Sequence, residues 1–167
     1  MAEWDVLDEA IISAKPDVVY KALIAEYSGK TDWWKSRVES KLREGRAVDR
    51  PGALLDITVH GGGMSMKFTT KTVEVKKNEL WRSDYVGGCF RGEGVWKLEA
   101  VDGNTKLSYH WRCRPSGFLM RILGPLVNVP KGHSEVVKVG FAALSEYLEK
   151  KAPAKTKRKS KGKSKSE

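Results

Sequence analysis

Arg91-Gly92-Glu93-Gly94-Val95-Trp96-Lys97-Leu98-Glu99-Ala100-Val101-Asp102-Gly103-Asn104-Thr105-Lys106-Leu107-Ser108-Tyr109-His110-Trp111 holds two alternating runs about a turn. Trp96, Leu98 and Ala100 alternate with Lys97 and Glu99. Leu107, Tyr109 and Trp111 alternate with Ser108 and His110. A period of two on both sides of Asp-Gly-Asn is the pattern of an antiparallel hairpin with one apolar face. Such a face needs a cover.

Outward towards the N-terminus, further strand patterns fall at 4–13, 37–43, 53–60, 65–76 and 79–86. They are separated by Gly61-Gly62-Gly63, Lys77-Asn78 and Gly87-Gly88. Loops this short join antiparallel neighbours. Lys15-Pro16-Asp17 starts a helix with proline in its first turn, and Val18, Val19, Ala22 and Leu23 give it an apolar stripe as far as Tyr27. The spacing predicts a second short helix over 31–35. Outward towards the C-terminus, the apolar run 118–127 is interrupted at Gly124-Pro125. Beyond Pro130, Val137, Phe141, Leu144 and Leu148 repeat at helical spacing, opposite Glu135, Lys138, Glu146 and Glu149. This is a long amphipathic helix able to cover the sheet.

Six tryptophans and 40% hydrophobic residues in a chain of 167 supply one core and not two. The net charge of +10 suggests a polyanion partner, but its placement weakens that reading. Nine basic residues and one acid from Lys150 to Glu167 contribute +8, leaving +2 for everything before them. The chain therefore divides into a folded domain, 1–151, and a lysine-rich tail, 152–167, whose composition cannot offset the entropy of ordering. The tail either touches nucleic acid or an anionic membrane without specificity, or merely solubilises the domain. It has no interleaved aromatic residue for stacking on bases. No apolar run is long enough to span a membrane, and the acidic start has no secretory pattern. Cys89 and Cys113 lack metal-ligand spacing and read as free intracellular thiols. The expected location is cytoplasmic and the expected state a monomer or homodimer.

Four features, in order, resemble the START-related, SRPBCC or polyketide cyclase/dehydrase-like group. They are Ala14-Lys15-Pro16-Asp17-Val18-Val19-Tyr20, Asp32-Trp33-Trp34, the Arg91–Glu99 strand with its following hairpin, and Gly140 with Leu144 in the last helix. The resemblance implies an α+β helix-grip fold: a curved antiparallel sheet of about seven strands around a long C-terminal helix, with two short helices after the first strand. It also implies an apolar ligand such as a lipid, a polyketide-like compound or an aromatic molecule. Members differ in catalytic residues, so none is carried over.

Alternation turns Trp96, Leu98, Leu107, Tyr109 and Trp111 inward. Ile57, Phe68 and Tyr85 are their companions, and Val137, Phe141 and Leu144 face them from the helix. These residues either form an ordinary packed core or wall a cavity, with the two tyrosines orienting a ligand. Trp33, Trp34, Gly62 and Gly124 are candidates for the cavity mouth, although one of the adjacent tryptophans could instead pack against a strand end. His60, His110 and His133 show no metal-ligand spacing, and no residue pattern calls for a metal or a cofactor. His60-Gly61-Gly62-Gly63 is a hairpin loop, because a lipase-type oxyanion loop would need a Gly-x-Ser-x-Gly elbow that is missing. Glu93 would be a general acid or base if it were buried, but its alternation partners Arg91, Val95 and Lys97 favour an exposed, ion-pairing position. Three functions stay open: ligand binding, a cyclase or dehydratase reaction on such a ligand, and docking through the tail.

Overall fold

The computed structural model describes residues 4–61 and 63–152, so Gly62 and the tail from residue 153 onward lie outside the described residues. The chain runs β1 (Trp4–Ile12), α1 (Pro16–Tyr27), β2 (Val38–Glu44), β3 (Leu54–Gly61), β4 (Met64–Lys76) and β5 (Leu80–Gly88). It continues with β6 (Phe90–Val101), β7 (Asn104–Pro115), α2 (Phe118–Leu123), a 3-10 turn (Gly124–Leu126) and α3 (Val129–Lys151). Pro16 opens α1 with Asp17 in its first turn. Asn128 caps α3 by accepting from the Lys131 backbone N–H at 3.1 Å.

The β6–β7 connection is the tight turn expected of Asp-Gly. Asp102 at φ 50° and Gly103 at φ 80° both occupy the left-handed region, which matches the twist of the strands they join. The expected second helix is absent, and residues 33–37 form consecutive turns instead. The Glu26 carboxylate takes the backbone N–H groups of Trp33 and Trp34 at 3.1 and 2.8 Å and the Thr31 hydroxyl at 2.6 Å. Those amides are thereby satisfied without helical ladder bonds.

All seven strands form one antiparallel sheet in the order β1-β7-β6-β5-β4-β3-β2. Helix α3 touches both β1, at one edge, and β3, next to the other. The sheet therefore wraps around the helix. Register shifts between Thr69 and Thr70 and between Thr72 and Glu74 bend β4. On β6, Gly92 stands at φ 143°, where a Cβ would lie 2.1 Å from the Arg112 carbonyl oxygen. Only glycine allows that close approach of β6 to β7.

The interior has two unlike halves. Helix α1 packs on β6 and β7 and fills one end with Val19 and Leu23, both fully buried. Leu98, Leu107 and Leu144 are buried as well. The other half, beneath α2 and the start of α3, is hollow.

Candidate functional site

The hollow half is a cavity of about 180 Å³. The β3–β4 hairpin bounds it with Gly61, Met64 and Met66, and the α2 side contributes Met120, Leu123 and Val127. Its walls are aromatic: Phe68, Phe90, Trp96 and Trp111 come from the sheet. Edge-to-face contacts lock several rings, among them Phe90 on Trp111 at 5.4 Å and Trp34 on Trp96 at 6.2 Å.

Polar residues interrupt these walls, among them Thr70, Ser83, Asn128 and Glu135 and a pair of tyrosines. The Tyr85 and Tyr109 hydroxyls, from β5 and β7, meet across β6 at 2.8 Å. They can do so because β6 carries Gly94 between them, where a Cβ would lie 2.2 Å from the Tyr109 hydroxyl. Burial, above all, raises both phenols well above their ordinary pKa. His133, on the first turns of α3, lies flat on Trp111 at 4.1 Å and stacks on Tyr109 at 5.6 Å. Burial pushes its pKa down from 6.5 to about 3, so the imidazole is neutral at physiological pH. His133 is half-buried and lines the cavity. His133 Nδ1 and Trp111 Nε1 have no hydrogen-bond partner among the described residues. The Trp111 N–H is near enough to Tyr85 to favour the phenolate slightly, yet lacks hydrogen-bond geometry.

Trp34 closes the floor against α3. Its Nε1–H donates to the Val136 carbonyl at 3.1 Å, and the indole lies where a side chain at residue 140 would be. Trp33 stacks on Trp34 at 5.8 Å and on Tyr147 at 6.4 Å, outside the cavity.

Residues 12–130 match the sequence profile of the family described as polyketide cyclase / dehydrase and lipid transport. The chain belongs to that family. Its fold is shared with solved structures at low identity. A protein of Thermus thermophilus, TTHA0849, superposes with a TM-score of 0.70 at 19% identity, over 89% of this chain and 99% of that one. A START superfamily protein of Mycobacterium smegmatis gives 0.67 at 17%, over 87% and 97%. The major latex-like protein 151 of Panax ginseng gives 0.66 at 10%, over 86% and 96%. No curated protein matches the sequence. The resemblance carried by the Pro16, Trp33-Trp34, Gly94-Trp96 and Gly140 motifs is thus a family membership, and the helix-grip architecture holds.

Within this family member, the cavity brings together Ile57, Phe68, Tyr85, Trp96, Tyr109, Trp111 and Val137. It does not bring in Leu98, Leu107, Phe141 or Leu144, which are buried but lie outside its lining. Alternation identifies the inward face of a strand; it does not say where along that face the packing stops. Of the candidate mouth residues, Trp34 lines the interior, while Trp33 and Gly124 do not border the cavity. Gly62 lies outside the described residues. His133 is a site residue the sequence reading passed over, since only the crossing of α3 over β7 sets its ring on Trp111. The other two histidines face outward with carboxylates: His60 pairs with Glu39 at 3.0 Å and His110 with Asp5 at 2.5 Å. Glu93 bridges Arg82 and Arg112 on the same outer surface. No helix of the described residues is long and apolar enough to cross a membrane.

Proposed function

We propose that this protein binds an uncharged apolar small molecule, lipid-like, polyketide-like or aromatic, in the cavity between the sheet and α3. One observation carries the reading: among the described residues the lining is largely aromatic and aliphatic and contains no lysine or arginine. Its one acidic member is Glu135, and His133 is neutral. A buried anion would lack a counter-charge, whereas an apolar body with one hydrogen-bonding oxygen would find the Tyr85–Tyr109 pair. A volume of about 180 Å³ compares with the ~150 Å³ cavity that takes up benzene. It falls short of the ~300 Å³ at which drug-sized sites begin. One or two fused rings fit as the cavity stands, and a longer molecule requires the α2 side to move.

A cyclase or dehydratase reaction has His133 in its favour, a neutral imidazole beside two phenols. Its basicity argues the other way. An imidazole with a pKa near 3 is a feeble base at neutral pH, and phenols shifted upward are feeble acids. Binding without turnover is the better reading. Native mass spectrometry of the purified full chain, with organic extraction of whatever co-purifies, tests it. A neutral apolar molecule at one per chain is the expected result. A chain that is empty and also takes up no small aromatic probe, such as naphthalene or 2-naphthol, would sink the proposal.

A further inference from the structure

Between β7 and α3 the chain turns its apolar side chains the wrong way. Phe118 is 81% exposed, Leu119 67%, Ile122 51% and Leu126 77%. Monomeric proteins scatter such residues singly, and here the three most exposed large apolar side chains of the described residues, Phe118, Leu126 and Leu119, fall in one short segment. The same segment has a second face: Met120 is buried, and Met120, Leu123 and Val127 line the cavity. α2 and the 3-10 turn are therefore a wall one layer thick, with the cavity on one side and exposed leucine and phenylalanine on the other.

The charge carried by this segment and its flanks up to Ser134 is of one sign, with Glu135 the first acid beyond it. Arg114, Arg121 and Lys131 are exposed, and none makes an ion pair among the described residues. From Gly103 to Ser134 the sequence contains no aspartate or glutamate. We infer that α2 and the 3-10 turn dock on an anionic lipid bilayer, with Phe118, Leu119, Ile122 and Leu126 entering the acyl boundary and Arg114, Arg121 and Lys131 meeting the headgroups. A second copy fits less well, because a two-fold contact centred on α2 would set Arg121 against its own counterpart. Docking puts this wall of the cavity against the bilayer, so an apolar ligand would pass between the two without crossing water. The docking stands whether or not the cavity is filled; the transfer rests on the binding proposed above.

The test is sedimentation of the full chain with phosphatidylcholine vesicles, with and without phosphatidylserine. Binding is expected to be much stronger with phosphatidylserine. Replacing Leu119→Ser together with Leu126→Ser is expected to weaken it by at least about tenfold. Arg121→Gln is expected to weaken it about fivefold, on the phosphatidylserine vesicles only. These positions are exposed, so an unchanged thermal midpoint certifies folding. A full chain with the basic residues from Lys155 to Lys165 replaced by Gln separates the tail from the wall, and it should retain the dependence on Leu119 and Leu126. The inference is overturned if the serine variants bind vesicles like the parent, if only tail neutralisation abolishes binding, or if the parent does not bind. It is also overturned if the same leucines control a concentration-dependent dimer and leave vesicle binding unchanged.

Discussion

Gly140 and Trp34 occupy a single volume: a Cβ at residue 140 would lie 2.5 Å from Cε2 of the Trp34 indole, inside van der Waals contact. The indole cannot retreat, because its Nε1–H is tied to the Val136 carbonyl one turn earlier on the same helix. Gly140→Ala sets two effects against each other. Helix propensity favours alanine by about 1 kcal/mol, while forcing a methyl group into a filled core costs about 1–3 kcal/mol. Contact with a rigid, hydrogen-bonded ring decides for the second, so urea denaturation should show net destabilisation. Gly132→Ala, on the same helix with nothing within 4 Å, is the control. It should be neutral or mildly stabilising.

The Tyr85–Tyr109 pair should behave as one unit. Tyr109→Phe leaves the Tyr85 hydroxyl buried without its partner, at a cost of about 1–3 kcal/mol. Removing both hydroxyls should cost less than the two single changes together, with a coupling of about 0.5–3 kcal/mol in a double-mutant cycle. Additive costs would mean that the two hydroxyls do not depend on each other.

Local pattern carried most of the fold because each element is self-consistent. The Asp102-Gly103 turn, the alternation on β6 and β7 and the heptad-like spacing of Val137, Phe141 and Leu144 each point to one structure. The site was less legible. Leu107 and Trp111 share a strand and a face, yet Leu107 is buried outside the cavity lining and Trp111 borders the cavity. The difference lies in what packs over that face, a tertiary fact. Glu26 was hidden for the same reason: a helix-borne carboxylate reads as solvated until the 31–34 turn folds back upon it. Gly94 reads as one residue of a strand motif, and its purpose emerges only when Tyr109 reaches across β6.

His133 should make the protein acid-sensitive above the carboxylate range. Its pKa is about 6.5 unfolded and about 3 folded. The unfolded chain therefore takes up a proton that the folded one refuses. Stability is fully present above pH ~6.5 and declines as the pH falls from there towards ~3, by at most ~1.4 kcal/mol per unit. Between pH ~6.5 and ~5 carboxylates contribute little. His133→Phe retains a ring for stacking on Trp111 and removes the titration. Urea midpoints across that window should fall for the parent and stay flatter for the variant, and the comparison cancels the contributions of His60 and His110. Parallel curves would show that His133 is open to protons in the folded state.

The absence of a cation from the cavity lining predicts discrimination by charge between ligands of nearly equal size. 2-Naphthol and 2-naphthoate share a ring system and differ in their polar end. A carboxylate carried into these walls would lose its hydration and meet neutral His133 and the acidic Glu135 in return. A phenol can exchange hydrogen bonds with the Tyr85–Tyr109 pair. Quenching of tryptophan fluorescence, with Trp34, Trp81, Trp96 and Trp111 all in the lining, should therefore report naphthol binding at least about tenfold tighter at neutral pH. Acidification should narrow the gap by neutralising the naphthoate. Equal affinities at neutral pH would place a counter-charge within reach of the ligand and remove the basis for a neutral cargo.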